Sequence, residues 1–179
     1  MVLVFLANGF EDTEAITTID VLRRAKLDCV TVSIGDDREV KSSHGITVLA
    51  DTTASALPEC SPEMIVLPGG GVGTKNLYES QFVREEIKKA YDRGIYIGAI
   101  CAAPTILGRL GYLRERSAVC YPGMEGDLHC KSLGKYVVRD GNIITGAGMG
   151  VTVDFALALV AALCSDEKAA QIKTQIVAK

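Results

Sequence analysis

Three short apolar runs decide what this chain can fold into: Val2-Leu3-Val4-Phe5-Leu6-Ala7, Met64-Ile65-Val66-Leu67 and Ile97-Gly98-Ala99-Ile100. Each is too short for a buried helix. A strand with one wet face would alternate apolar and polar residues, and these do not alternate. They read as strands covered on both faces. Helical patterns separate them: Ala15, Ile16, Ile19, Val21 and Leu22 after the first run, and Gln81 to Asp92, stopped by Gly94, after the second. Strands buried on both faces and alternating with helices predict an α/β fold, a mostly parallel sheet between two helical layers. With 179 residues and neither linker nor repeat, the reading is one domain, 1–179.

Other elements follow the same rules. Cys29–Ile34 reads as a strand, and Val40 to Leu49 as two short strand pieces around Ser42-Ser43-His44-Gly45. Ala118–Cys120 is strand-like, and Val137-Val138 pairs with Ile143-Ile144 around Asp140-Gly141-Asn142, a turn signal. Val153–Leu163 is a nearly all-apolar helix, expected in the core or a subunit interface, and Glu167–Val177 is an amphipathic closing helix.

Composition removes several functions. A net charge of −3 without a basic run argues against nucleic acid as a partner. The longest apolar candidate, Val153 to Cys164, is too short for a membrane span. Val2 already opens a strand without a basic leader, so no signal peptide is expected. The six cysteines, Cys29, Cys60, Cys101, Cys120, Cys130 and Cys164, form no C-x-x-C pair and read as reduced, in a cytoplasmic protein. His44 and His129 lack ligand spacing with a cysteine pair, so no metal is expected. Both read as surface histidines.

In a parallel sheet, ligands bind beyond the carboxyl ends of the strands. The loops Asn8–Glu14, Gly69–Gly73 and Cys101–Ala103 leave such ends and can converge. Cys101 stands at a turn between a strand and a helix begun by Pro104. That position suits a nucleophile near a helix N-terminus, with its thiol acidity raised, or a buried structural thiol. Glu14 lies in the first turn of the first helix. It can complement the helix dipole, or serve as acid or base beside Cys101. Two anions in contact repel, so a Glu14 touching a thiolate should be protonated. Gly69-Gly70-Gly71-Val72-Gly73 lacks both nucleotide-binding spacings. It is a tight turn, or a source of a backbone N–H aimed, with that of Ala102, at an oxyanion.

Together, Leu6 to Ala15, Val66-Leu67-Pro68-Gly69-Gly70, Ala99-Ile100-Cys101-Ala102-Ala103-Pro104 and Asp154-Phe155-Ala156-Leu157 resemble the ThiJ/PfpI family in order and spacing, over nearly the whole chain. The resemblance implies a flavodoxin-like three-layer sandwich, usually homodimeric, working without a cofactor. It implies Cys101 as the reactive cysteine, Glu14 as its protonated partner, and Gly70 and Ala102 as oxyanion contacts. Family activities include conversion of methylglyoxal or glyoxal to hydroxy acids (glyoxalase III type), repair of glycated amines or thiols, and oxidative-stress sensing or redox-regulated chaperoning. An amidase or peptidase-like hydrolase is a further alternative. The chain departs from the family at three places. Tyr121 stands where some members carry a histidine near the cysteine, His44 where relatives carry an arginine, and Met149 within Gly146-Ala147-Gly148-Met149-Gly150, a loop near the site in relatives. These three are expected near the pocket.

Overall fold

The three apolar runs become neighbouring parallel strands. The computed structural model describes every residue from Met1 to Lys179. In chain order the first half holds β1 (Val2–Leu6), α1 (Asp12–Arg24), β2 (Cys29–Ser33), β3 (Glu39–Lys41), β4 (Thr47–Leu49), β5 (Thr52–Thr53), β6 (Met64–Leu67), α2 (Gly71–Glu79) and α3 (Gln81–Asp92). The second half holds β7 (Tyr96–Ile100), α4 (Pro104–Arg109), β8 (Ser117–Ala118), β9 (Lys131–Ser132), β10 (Val137–Asp140), β11 (Ile143–Gly146), α5 (Thr152–Leu163) and α6 (Asp166–Gln175).

Seven strands form the central sheet in the order β10-β11-β7-β6-β1-β2-β5. Every pair in it is parallel except β10 with β11. Alternate residues of β1 divide between two cores. Val2, Val4 and Leu6 pack with Ile19 and Leu22 of α1, Phe155 and Leu159 of α5, and Ile172 of α6. Leu3 and Phe5 pack on the other face with Leu77 of α2, Val83 and Ile87 of α3, and Ile106 of α4. That two-sided burial is why the strands do not alternate.

The α/β sandwich expected from the sequence is therefore present, and the two strand pieces read between Val40 and Leu49 are β3 and β4, paired antiparallel as a hairpin outside the main sheet. Three details differ. Gly71 starts helix α2, so the glycine turn ends at Gly70 and does not extend to Gly73. Thr52–Thr53 is an added edge strand beside β2. Ser117–Ala118 leaves the main sheet and pairs with Lys131–Ser132. α6 begins at Asp166, where the Ser165 side chain accepts from the Lys168 N–H.

Candidate active site

β1, β6 and β7 are neighbours in the sheet, so the three loops leaving their carboxyl ends meet. Direct bonds tie them together. The Glu11 N–H donates to the Gly69 carbonyl at 3.0 Å, and the Gly73 N–H to the Gly9 carbonyl at 3.0 Å. Gly70 has φ of +91°, a left-handed conformation that favours glycine. A Cβ there would lie 2.3 Å from the Gly9 carbonyl oxygen. Gly69 has equally little room: its Cβ would lie 2.5 Å from Glu14 Oε2 and 2.7 Å from Cys101 Cβ. The glycines let the first and second loops close over the third.

Cys101 follows the last residue of β7 with φ of +64°, uncommon for a residue with a side chain. Two bonds pin this turn. The Cys101 N–H donates to the Gly146 carbonyl and the Tyr121 N–H to the Cys101 carbonyl, each at 2.8 Å. The Thr105 hydroxyl donates to the Ala102 carbonyl at 2.7 Å, fixing the first turn of α4.

Glu14 is fully buried. Its Oε2 accepts from the Gly69 N–H at 2.9 Å, while Oε1 is buried without a hydrogen-bond partner. Burial pushes its pKa up from 4.5 to about 7, against the opposing effect of the neighbouring Cys101 thiol. Burial, then the Glu14 charge, likewise pushes the Cys101 thiol up to about 12, while the N–H groups of Gly70 and Ala102 act in the opposite direction on its sulfur. The depressed thiol expected from a helix N-terminus is therefore not what this site gives. α4 has only six residues, and desolvation beside a carboxylate outweighs its dipole. The two groups titrate as a pair. When Glu14 holds the proton, its repulsion of a thiolate vanishes and it becomes a donor to sulfur.

A cavity of about 540 Å³ opens on Cys101. Ala102 and Thr105 of the elbow, Gly71, Thr74 and Lys75 of α2, and Tyr121 lie on its wall. Arg109 and Met124 complete it. Tyr121 thus reaches the cavity as expected, whereas His44 and Met149 do not line it. His44 is drawn away by Asp12: its Nδ1 lies 2.8 Å from Asp12 Oδ2. This contact raises the His44 pKa, and hydrogen bonds, chiefly from Ser42, lower that of Asp12 to about 2. Met149 sits in the single turn Met149–Val151 and is 54% exposed, its unbranched side chain directed to solvent rather than to the cavity wall. His129 ends the turn Glu125–Leu128 and is likewise not on the cavity wall.

Donor atoms of Glu11, Asp12 and His44 lie within 4.8 Å of one another. Asp12 already accepts from Ser42 and Ser43, and Glu11 accepts from the Glu14 N–H at 2.7 Å. Glu11 is thus used as the N-cap of α1, and Asp12 ties the helix start to the Ser42–His44 turn.

Sequence reasoning missed Thr74, Lys75, Arg109 and Met124 on the wall. The i, i+3, i+4 spacing of Gly71, Thr74 and Lys75 would have placed them on one face, had α2 been recognised.

Comparison with known proteins identifies the family and the fold. The model of the DJ-1/PfpI family matches residues 1–162. Protein DJ-1alpha of Drosophila melanogaster is 37% identical over 174 residues, covering 95% of this chain and 80% of that protein. Glutathione-independent glyoxalase DJ-1 of Schizosaccharomyces pombe is 29% identical over 178 residues, 93% of each. The crystal structure of a DJ-1 superfamily protein from Salmonella typhimurium superposes with a TM-score of 0.95 at 35% identity, covering 99% of this chain and 98% of that one. Oxidized DJ-1 of Toxoplasma gondii superposes with a TM-score of 0.94 at 32% identity, covering 99% and 97%. The sandwich described above is thus the flavodoxin-like fold of these proteins.

Proposed function

Because the chain belongs to the DJ-1/PfpI family, we propose that it is a cofactor-independent enzyme converting small 2-oxoaldehydes to 2-hydroxy acids, with Cys101 as nucleophile and Glu14 as proton carrier. The family includes a glutathione-independent glyoxalase. One observation carries the reading: a fully buried carboxyl, with its pKa raised to about 7, is coupled to a thiol on a cavity wall.

The reactive form holds one proton on Glu14 and the negative charge on Cys101 Sγ. Sulfur attacks the aldehyde carbon, and the carbonyl electron pair becomes an alkoxide that Glu14 protonates. In this proposal the N–H groups of Gly70 and Ala102, which act on the sulfur, also steady that oxygen. The Glu14 carboxylate then takes the C1 hydrogen of the hemithioacetal and leaves an enediolate. Returning that proton to C2, with transfer of the C1 hydroxyl proton to the C2 oxygen, gives a 2-hydroxy thioester. Water hydrolyses it and restores the thiol. C1 is oxidised and C2 reduced within one molecule, so no external oxidant enters.

Methylglyoxal and glyoxal turnover, with product identified by NMR, tests this. Cys101→Ser and Glu14→Gln are each expected to lower kcat/KM about a hundredfold or more. An unchanged rate in either variant overturns the mechanism. Repair of glycated thiols or amines would draw on the same step and belongs in the same substrate panel.

A second reading has one specific support, the oxidized form of the Toxoplasma gondii relative. Cys101 is partly exposed, so peroxide can reach it, and a protonated Glu14 can hydrogen-bond the resulting acid. Intact-mass analysis after mild peroxide is expected to place an oxygen adduct on Cys101, and its absence there sinks the sensor role. A Cys–His hydrolase finds no support, since no histidine lines the cavity.

A further inference from the structure

We infer that the Cys101 cavity contains a subsite for an anionic group. The inference rests on the aldehyde reading for its substrate class: a 2-oxoaldehyde bearing a carboxylate or phosphate a few atoms from the reacting carbonyl.

Two cations share the cavity wall with Cys101: Lys75 and Arg109. Lys75 is 71% exposed at its side chain, and its nearest acid is Glu79 at 3.8 Å. Such an exposed pair holds a lysine weakly and leaves it free to turn inward. Arg109 donates through Nη2 to Asp127 Oδ2 at 2.6 Å and lies over the Tyr78 ring, 5.7 Å from its centroid. No acceptor holds its Nε or Nη1, so a fixed guanidinium edge remains available.

Thr74 supplies an independent sign. Only 6% of this residue is exposed, and its buried Oγ1 has no hydrogen-bond partner. A buried hydroxyl without a partner is costly, and Thr74 stands on the cavity wall, where a change of χ1 rotamer would let a ligand oxygen satisfy it. Gly71, Thr74 and Lys75 lie on one face of α2, and the N-terminal end of this nine-residue helix opens on the cavity. The Gly73 and Thr74 N–H groups are taken by the Gly9 and Gly70 carbonyls, so the helix end contributes its dipole and the cations carry the attraction. A neutral aldehyde such as methylglyoxal uses none of these groups.

Alkylation reads the subsite without any turnover. Iodoacetate and iodoacetamide deliver the same carbon to sulfur and differ in charge. The ratio of their rates at Cys101, mapped by mass spectrometry, is compared with that at the exposed Cys164. The Glu14–Cys101 pair carries a negative charge in its reactive form, so without a subsite the anionic reagent is disfavoured at Cys101. With one, the Cys101 ratio is expected to exceed the Cys164 ratio about tenfold. It should fall to the Cys164 value or below it in Lys75→Met, and toward it in high salt. Lys75 is on an exposed helix face, so this variant is expected to fold. Protection of Cys101 from iodoacetamide by acetate or by inorganic phosphate tells which anion fits.

Equal ratios at the two cysteines, or a Cys101 ratio indifferent to Lys75→Met, overturn the subsite. Turnover of 4,5-dioxopentanoate and of methylglyoxal is a separate readout. If neither is turned over while the alkylation ratio holds, the aldehyde reading falls and the anion subsite stands. If methylglyoxal is turned over while the ratio is flat, the subsite alone falls.

Discussion

Glu14 decides how the site responds to pH. Its carboxyl titrates near 4.5 when unfolded and at about 7 when folded. Between those values the folded state holds a proton that the unfolded state has lost, so this residue's contribution to stability falls as pH rises through that window. Urea midpoints of wild type and Glu14→Gln, measured across it, should show the variant gaining on the wild type toward neutral pH. Parallel curves would mean that the buried carboxyl is not protonated. Beside it, Gly69→Ala would drive a methyl into both Glu14 and Cys101. The expected loss is about 1–3 kcal/mol, read by denaturation, with a larger relative loss of thiol alkylation. The positions of Cys101, after an apolar strand, and of Glu14, in the first turn of a helix, were legible in the sequence, whereas their pairing came from the family resemblance. The direction of the thiol's shift was not legible, because it depends on burial and on a partner 87 positions away.

At the scale of elements, α2 shows where pattern reading stops. It opens Gly71-Val72-Gly73, among poor helix formers, and buries only Gly73, Thr74 and Leu77. Nothing in that stretch has helical periodicity, so the glycines read as a turn. The helix forms because the Thr74 N–H donates to the Gly70 carbonyl at 2.8 Å and Leu77 fills the core beside Phe5. α5 is the opposite case, with a composition that announces burial. Its Leu159 rests on β7 at Gly98, where an added Cβ would come within 3.0 Å of Cδ2. Leu159→Ala should cost about 2–5 kcal/mol in urea denaturation. A smaller loss would mean that the layer relaxes into the space.

For the whole molecule, the two-sided burial of three short runs was enough to predict the sheet and its two layers. The two-residue strands β5 and β9 carry too little sequence to be read, and β8 was read shifted toward Cys120. No helix is long and apolar enough to cross a membrane. Ile16 and Leu49 are exposed and border a single cavity of about 300 Å³ between α1 and β4. Such a patch suits a second copy of the chain, and sedimentation equilibrium is expected to show a dimer that Ile16→Asp weakens. A monomer at all concentrations would refute this. The left-handed backbone at Cys101 bears on the stability of the entire molecule. Glycine adopts that conformation freely, whereas a side chain there costs about 1 kcal/mol. Cys101→Gly should therefore be more stable than Cys101→Ala by about that amount. Under the proposed mechanism, fitness for folding and fitness for chemistry pull in opposite directions at this position. A library randomised at residue 101 and sorted by heat alone should drift to glycine, while one sorted by catalysis should return the cysteine.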